Sequence, residues 1–323
     1  MSASNDLPAS NDLEELLAGL VPTIRPGRFV FVTGPLPTGV DALAGVEEPE
    51  GPSHVVRHED AVQHGVSFAF EAGWITLGVA SSLDAVGLTA TVSEAMARAG
   101  LPCNVIAGYH HDHLLVPADR VHEALESLDA LTRPADAARV AEAMRVVDRR
   151  DFLGDDQRAH AHLDRPLPIG HDQTCSQPRT VADMLELLQV RPGHRVLDVG
   201  SGSGWTAALL GHLVGPAGDV VGVELVDELA DRAAASIERH GGPNVVVHHA
   251  RPDQLGRPED GPYDRILVSA GAEELPQDLV AQLAPGGVMV IPVRGQMLRV
   301  RVQPDGDTTT SVHGAYAFVP LIH

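Results

Sequence analysis

Hydrophobic and polar positions follow two different rhythms along the chain. In the first half, apolar runs and alternation predict four strands, and apolar residues at helical spacing predict two helices. From the second strand onward the order is strand-helix-strand-strand-helix, which is typical of a small α+β sandwich. The predicted strands are Phe29–Gly34, Trp74–Ala80, Cys103–Gly108 and Leu114–Val116, and the predicted helices are Ala85–Ala99 and Val121–Leu131.

In the second half, strands and helices alternate every 20–25 residues or so, which is typical of a doubly wound parallel sheet. After Gly286 and Gly287 the pattern predicts strands only, which indicates an antiparallel end to that sheet. The predicted strands are Arg195–Val199, Val220–Glu224, Val245–His248, Arg265–Ser269, Val288–Val293, Leu298–Gln303 and Ser311–Val319, and the predicted helices are Trp205–Val214, Glu228–Arg239 and Gln277–Leu283.

The change of rhythm predicts two domains, and 323 residues suffice for two separate cores. Residues 1–26 are expected to form a flexible leader with a short helix at Asp12–Leu20, and residues 27–131 the first domain. The boundary is predicted within 132–140, where Pro134 interrupts the pattern and a new helix is expected to follow. Residues 135–323 form the predicted second domain.

Composition narrows the class of protein. The net charge is −21, every basic side chain other than histidine is arginine, and aromatic residues make up 3% of the chain, so nucleic-acid binding is not expected. The two cysteines, Cys103 and Cys175, form no metal-spaced pair and no disulfide framework. Because no apolar run is long enough to span a membrane and the first residues do not resemble a signal peptide, we expect a cytoplasmic protein.

A glycine-rich stretch, LDVGSGSGW at 197–205, follows one of the predicted buried strands. Glycines there allow a tight turn and leave room for a ligand, and the next helix points free N–H groups into the crevice. The spacing G-x-G-x-G is not the G-x-G-x-x-G of dinucleotide-binding loops, and the absence of G-K-[ST] excludes a P-loop. These features favour S-adenosylmethionine over NAD, and a tight turn without any ligand stays the alternative.

Acidic residues flank this loop at positions where a nucleoside ligand needs them. Glu224 ends the next predicted strand, where its carboxylate can bind two ribose hydroxyls, and Asp198 precedes the first glycine, where it can face a cationic group. The predicted cofactor-binding residues of this region are Asp198, Gly200, Ser201, Gly202, Gly204 and Glu224.

Residues 135–323 resemble the protein-L-isoaspartate O-methyltransferase family in four segments of matching order. These are RPLPIGHDQTCSQPRTVADMLELL at 165–188, VLDVGSGSGWTAAL with VVGVEL at 196–225, PYDRILVSAGAEELPQDLVAQLAPGGVMVIPV at 262–293, and AYAFVPLI at 315–322. The glycine loop is common to class I methyltransferases, whereas the Gln-Thr-x-Ser-x-Pro core of the first segment is specific to this family. The resemblance implies a Rossmann-like α/β fold and S-adenosylmethionine as cofactor.

The resemblance also implies a reaction, which is carboxyl methylation of L-isoaspartyl residues in peptides or proteins, followed by collapse of the ester to a succinimide. Ser176 matches the family's active-site serine, and Thr174 matches the same segment. A carboxylate is ionised at neutral pH and attacks a sulfonium without a strong general base, so Ser176 is expected to orient it by a hydrogen bond. Thr174 and Ser176 also suit a helix N-cap, and both roles are compatible.

The chain departs from the family pattern at two places. Where the family has an Asp near the adenine amino group, the alignment puts Pro252, and Asp253 is displaced by one residue, so Asp253 is the expected adenine contact. Asp172 stands where glycine is common, beside the expected substrate pocket. Both departures favour a specialised substrate, including a dedicated peptide, over loss of activity.

Residues 27–131 resemble small ACT-like proteins. The likeness is found in residues 74–117 and in the predicted helix at 121–131. This resemblance implies a ferredoxin-like α+β domain that senses an amino acid or related ligand and pairs into a homodimer. Ser81, Ser82 and Asp84 suit either helix caps or a ligand loop. The histidine-rich stretch 110–113 is expected to be a polar hairpin turn without a metal, because no distant ligand pair completes a tetrahedral set.

Two functions of different class remain. The main expectation is an S-adenosylmethionine-dependent carboxyl methyltransferase that is preceded by an ACT-like domain. A ligand bound to the ACT-like domain is expected to alter the rate of methyl transfer. The alternative is an amino-acid-sensing binding protein whose methyltransferase half has lost turnover. An NAD-dependent oxidoreductase is excluded by the glycine spacing and by the match near residue 322.

Overall fold

A six-stranded antiparallel sheet organises the first of two units into which the computed structural model divides, with the division between Ala135 and Asp136. The structure describes residues 10–240, 242–251, 253–303 and 306–322. The strands of this sheet lie in the order β2-β3-β1-β4-β6-β5, every neighbouring pair antiparallel. They are β1 (Thr23–Thr33), β2 (Ala44–Glu48), β3 (Gly51–Arg57), β4 (Ala69–Thr76), β5 (Asn104–Ala107) and β6 (Asp112–Pro117).

Helices pack against this sheet through apolar stripes. They are α1 (Leu13–Ala18), α2 (His58–Gln63), α3 (Leu88–Arg98) and α4 (Val121–Val146). Helix α3 buries Leu88, Val92 and Met96, whose spacing places them on one face. It begins at Leu88 rather than at the predicted Ala85, because Gly87 before it takes a left-handed φ of 105° that lies outside a helix.

Part of the expected flexible leader belongs to the core of the first unit. The Asp12 side chain accepts a hydrogen bond from the N–H of Glu15 at 3.0 Å and caps α1. Leu16 and Leu20 are buried, and they pack in the same cluster as Ile75 and Leu77. Of residues 1–26, those from Ser10 onward are therefore part of the fold, and residues 1–9 lie outside the described part of the chain.

Replacing Leu16 with alanine is expected to lower the free energy of unfolding by about 2–4 kcal/mol, because it leaves a cavity in this cluster. Leu83→Ala is the matched control, since the Leu83 side chain is 66% exposed. Urea denaturation measures both. Equal, small effects of the two substitutions would show that α1 is a loose leader after all.

The first unit contains two features that the hydrophobic pattern does not predict. The hairpin β2–β3 and helix α2 lie in a stretch predicted as irregular. Helix α4 continues through Pro134, at which the pattern predicts an interruption, and the division between the units falls inside it. A proline removes one N–H donor from a helix, and the remaining turns of this 26-residue helix retain theirs.

The histidine-rich stretch lies at the turn between β5 and β6, and two of its side chains have protein partners. His111 Nδ1 lies 3.0 Å from the Val79 carbonyl, and His113 Nδ1 lies 3.0 Å from Thr76 Oγ1. Among the described residues, no group of three or more metal-ligating side chains is placed to hold an ion.

No helix of the described residues is both long and apolar enough to cross a bilayer.

The second unit is built on a seven-stranded sheet in the order β11-β10-β9-β12-β13-β14-β15. Strands β9 to β13 pair in parallel, and β14 and β15 are antiparallel, as predicted. The strands are β9 (Arg195–Val199), β10 (Asp219–Glu224), β11 (Val245–His249), β12 (Tyr263–Val268), β13 (Leu283–Val293), β14 (Gln296–Val302) and β15 (Thr308–Ala315).

Helices α5 (Pro178–Leu188), α6 (Trp205–Val214), α7 (Asp227–His240) and α8 (Gln277–Val280) accompany this sheet. Helix α8 is shorter than predicted, because the long strand β13 already begins at Leu283. A separate hairpin of β7 (Leu167–Gly170) and β8 (Gln173–Cys175) was not predicted. Short 3₁₀ turns occupy Ala118–Arg120, Arg149–Phe152, Arg158–His160, Gly215–Ala217 and Pro258–Asp260.

The order of strands positions the site. Strand β9 lies between β10 and β12, and the connection after β9 leads to β10 on one side, whereas the connection after β12 leads to β13 on the other. Such a switch point opens a crevice at the carboxyl edge of a parallel sheet. The glycine-rich loop follows β9 directly, and Glu224 ends β10, so both lie at this edge.

Candidate active site

The glycine-rich loop is a left-handed turn held by main-chain hydrogen bonds. Gly200, Gly202 and Gly204 have φ values of 80°, 54° and 86°, a region that glycine enters without strain. The N–H groups of Gly200 and Ser201 donate to the Val223 carbonyl at 2.9 and 3.1 Å. The loop is therefore tied to β10, and α6 starts after Gly204 with no side chain capping its first turn.

Glu224 links the loop to the start of α7. One carboxylate oxygen accepts a hydrogen bond from the Gly202 N–H at 2.8 Å, and the other accepts from the Val226 N–H at 2.9 Å. The side chain is 93% buried and lines the pocket described below. Each carboxylate oxygen keeps a second lone pair, so Glu224 can still accept from the two hydroxyls of a ribose.

Asp198 is the most unusual group in the site. It is fully buried, and neither carboxylate oxygen has a hydrogen-bond partner among the described residues. Burial raises the pKa of the Asp198 carboxyl to about 7, while the Ser201 side chain opposes this rise and the nearby Glu224 charge adds to it. A buried acid without a partner is costly to ionise, so Asp198 suits a site that pairs with a cationic group of a ligand.

A pocket opens beside the loop, with about 1040 Å³ of space when the solvent at its open mouth is included. It is large enough for a nucleoside-sized ligand. The pocket is lined by apolar side chains and a few polar groups. Among the described residues that line it, Glu224 and Arg251 are charged. The residues that line it are Ile169, Gln173–Ser176, Val199–Ser203, Trp205, Thr206, Val223–Val226, Ala250, Arg251, Gln254–Gly256, Ser269, Ala270 and Val319–Ile322.

Ser176 and Thr174 enter this pocket from the segment between β8 and α5. Neither hydroxyl makes a hydrogen bond to a described protein atom, so both are free to donate to a ligand. Helix α5 begins two residues after Ser176 with Pro178 in its first turn. The carboxylate of Asp164 accepts from the Arg179 N–H at 2.9 Å and caps this helix, so the helix does not need Thr174 or Ser176 as its cap.

The structure brings together most of the predicted site residues. Thr174, Ser176, Gly200, Ser201, Gly202 and Glu224 all line the pocket. Gly204 lies behind it, where an added Cβ would be 3.3 Å from Ala233 of α7, so this glycine permits close packing of the loop on a helix. Asp198 is fully buried directly before the lining residues Val199 and Gly200 and does not itself line the pocket, so a cationic ligand group would pair with it only if the loop gives access to its carboxylate.

The two departures from the family pattern are less central than expected. Asp253 is exposed and does not line the pocket, whereas its neighbours Arg251 and Gln254 do. Pro252 lies outside the described residues. Asp172 is exposed at the turn of the β7–β8 hairpin, with a φ of 55°, and is not part of the pocket lining.

Sequence reasoning did not assign several residues of the site. Residues 319–322 form one wall of the pocket, where the Gly271 N–H donates to the Val319 carbonyl at 2.7 Å and the Leu321 N–H donates to the Gly271 carbonyl at 2.8 Å. The likeness of AYAFVPLI at 315–322 to the family was the available signal for that wall. Arg149 contacts the backbone of Ser176, and no local sequence pattern indicates this contact.

Comparison with known proteins places this site in a family. A family model described as protein-L-isoaspartate(D-aspartate) O-methyltransferase matches residues 119–323, and two ACT domain models match residues 8–73 and 69–130. The predicted ACT resemblance is thus confirmed, and it involves two domain models, the first of which begins at residue 8 and the second at residue 69.

Relatives and solved structures agree with the family model. A protein-L-isoaspartate O-methyltransferase of Methanopyrus kandleri is 46% identical over 208 residues, which cover 63% of this chain and 90% of the relative. One from Methanococcoides burtonii is 44% identical over 187 residues, which cover 57% of this chain and 92% of that relative. A Plasmodium falciparum structure of the same name, in complex with S-adenosyl-L-homocysteine, is 27% identical at a TM-score of 0.50, covering 57% of this chain and 89% of its own. The chain therefore belongs to the protein-L-isoaspartate(D-aspartate) O-methyltransferase family, and it is an S-adenosylmethionine-dependent methyltransferase of Rossmann-like fold with ACT domains in front.

Proposed function

We propose that the protein methylates the free carboxylate of L-isoaspartyl residues in peptides or proteins, with Ser176 and Thr174 orienting that carboxylate. The observation that carries the assignment is a shared pocket: the unbonded hydroxyl of Ser176 and the loop at Gly200–Gly202 line the same cavity. A substrate group held by the hydroxyl would lie beside a cofactor held by the loop.

The residues fit the cofactor by their chemistry. Asp198 offers an unpaired carboxylate for an ammonium group, and Glu224 offers free lone pairs for ribose hydroxyls. Val223, Leu225 and Leu255 supply apolar surface for a base. S-adenosylmethionine, when bound, supplies a methyl group on a sulfonium, and its transfer to a carboxylate yields a neutral methyl ester and S-adenosylhomocysteine.

The protein's contribution is alignment and exclusion of water. Because the substrate carboxylate is already ionised, no proton has to be removed before the methyl carbon–oxygen bond forms and the carbon–sulfur bond breaks. Ser176 would donate a hydrogen bond that holds the carboxylate in line with the methyl group. The wall at 319–322 would cover the reacting groups from one side.

Methyl incorporation from labelled S-adenosylmethionine tests this proposal. We expect transfer to an isoaspartyl peptide and none to its normal aspartyl twin. Ser176→Ala is expected to lower kcat/KM by roughly 10–100-fold, the value of one hydrogen bond to a charged group, while S-adenosylhomocysteine still binds. Ser127→Ala, a serine change in the first unit, is the control. Equal labelling of both peptides, or full activity of Ser176→Ala, would overturn the proposal.

The first unit supports a regulatory proposal: an amino acid or related ligand binds there and alters methyl transfer, and the unit pairs two copies of the chain. The two ACT domain matches support it. Titrating each free amino acid while measuring the methylation rate tests the first part, and sedimentation tests the second. We also propose a cytoplasmic location, which the free thiols of Cys103 and Cys175 support.

A further inference from the structure

One buried arginine connects the two sides of the pocket. Arg149 lies in the 3₁₀ turn Arg149–Phe152 and is 96% buried. Buried cations are normally paired with carboxylates. No acid lies within ion-pair distance of Arg149 among the described residues, so its charge is stabilised by hydrogen bonds to neutral acceptors and by an aromatic ring.

These acceptors come from two separate segments. The guanidinium donates to the carbonyls of Leu163 and Arg165 at 3.1 and 2.9 Å, and to those of Cys175 and Ser176 at 2.9 and 2.8 Å. Longer contacts of 3.4 Å reach the Ala161 carbonyl and Cys175 Sγ. The donor groups of arginine form a rigid planar fork, so these contacts fix the two segments relative to each other.

The same side chain reaches the cofactor side. The guanidinium lies over the ring of Trp205, 5.4 Å from its centroid, and Trp205 is the first residue of α6 after the glycine loop. The indole N–H donates to the Val147 carbonyl at 3.2 Å, two residues before Arg149. Trp205 also lines the pocket.

We infer that Arg149 is a positioning residue for methyl transfer, which holds the backbone of Ser176 at a set place relative to Trp205 and the cofactor loop. The inference rests on the proposed function of Ser176. Because displacement of a reacting group by 1 Å can lower a rate by about 100-fold, loosening this backbone is expected to reduce turnover far more than cofactor binding. A lysine at position 149 would keep the positive charge but would lack the planar set of N–H donors that contacts both segments.

The experiment compares Arg149→Lys with Arg139→Lys, a matched control in the same unit. Arg139 also donates to main-chain carbonyls, those of Val190 and Leu213, and does not line the pocket. With an isoaspartyl peptide, we expect Arg149→Lys to lower kcat by about 10–100-fold and to leave the Kd of S-adenosylhomocysteine within about threefold of wild type. Arg139→Lys should change kcat by less than about threefold. In Arg149→Ala, millimolar guanidinium is expected to restore part of kcat.

A second measurement needs no substrate. Amide hydrogen exchange of the cofactor-free protein should be about tenfold faster at 161–165 and 175–177 in Arg149→Lys, with these segments unchanged in Arg139→Lys. If wild type fails to methylate the peptide but this exchange pattern appears, the proposed function fails while Arg149 still holds the Ser176 backbone. Unchanged exchange at 175–177, or equal losses of kcat in the two lysine variants, would overturn the inference.

Discussion

Replacing Asp198 with asparagine is expected to weaken S-adenosylhomocysteine binding by roughly 10–100-fold while making the cofactor-free protein more stable above pH 7. The carboxylate is fully buried without a partner, so it gains one only when a cationic ligand group arrives. Loss of a charged hydrogen bond on that scale accounts for the weaker binding. Isothermal titration of S-adenosylhomocysteine measures it.

The stability effect has a definite pH dependence. Because the folded-state pKa is raised from 3.8 to about 7, the contribution of Asp198 to stability is complete below about pH 4 and is lost as the pH rises through 7. The loss is about 4 kcal/mol, because a difference of one in pKa corresponds to about 1.4 kcal/mol. Asp198→Asn removes the titrating group, so its melting temperature should exceed that of wild type at pH 8 and nearly match it at pH 4.

Cofactor affinity should also depend on the ionisation of Asp198, but it should rise with pH, whereas the stability of the cofactor-free protein falls. The carboxyl has to ionise before it pairs with an ammonium group, so wild-type affinity should fall by up to tenfold per unit below pH 7. The affinity of Asp198→Asn should lack this dependence. Asp172→Asn, an exposed acid outside the pocket, is the control. If Asp198→Asn binds as tightly as wild type, Asp198 does not contact the cofactor.

Gly200→Ala is expected to lower cofactor affinity by roughly 10–100-fold, the largest effect of any single methyl group in this site. A Cβ at Gly200 would contact no atom closer than 3.8 Å, and its neighbours there, Ser269 and Ala270, both line the pocket. The new methyl group would therefore occupy space that the ligand needs, besides adding strain at a φ of 80°.

Gly193→Ala separates these two causes. Gly193 has a φ of 84° and open space around its missing Cβ, and it lies in a turn outside the pocket. Both substitutions should destabilise the protein by about 1 kcal/mol through backbone strain. Only Gly200→Ala should impair binding of S-adenosylhomocysteine. Equal affinities of the two variants would mean that the ligand does not approach the loop at Gly200.

The parts of the site that could be predicted are those encoded by local pattern. The glycine loop and Glu224 follow buried parallel strands, and such strands place their carboxyl ends at one edge of a sheet whatever the rest of the chain does. Family likeness added Ser176 and Thr174. Thr174, Ser176, Gly200, Gly202 and Glu224 all line the same pocket.

The remainder depends on contacts between segments distant in sequence. Arg149 resembles any surface arginine in the sequence, and its burial follows only from the convergence of 161–165 and 175–176 around it. Asp253 was predicted because it lies one residue from the position of the family's Asp, but its side chain is exposed, whereas Arg251 and Gln254 line the pocket. Leu16 and Leu20 lie in a stretch that is otherwise polar, so the sequence pattern did not predict their burial. They are buried because they pack against Ile75 and Leu77, which are distant in sequence.

The wall at 319–322 exposes the protein to a particular kind of damage. A cut after Phe318 would leave the strands of the seven-stranded sheet paired, because the described residues 319–322 form hydrogen bonds to the rest of the unit through Gly271. It would also remove Leu321 from the apolar cluster against which it packs, and with it one wall of the pocket. Loss of this segment is therefore expected to impair ligand binding more than it disturbs the pairing of the strands.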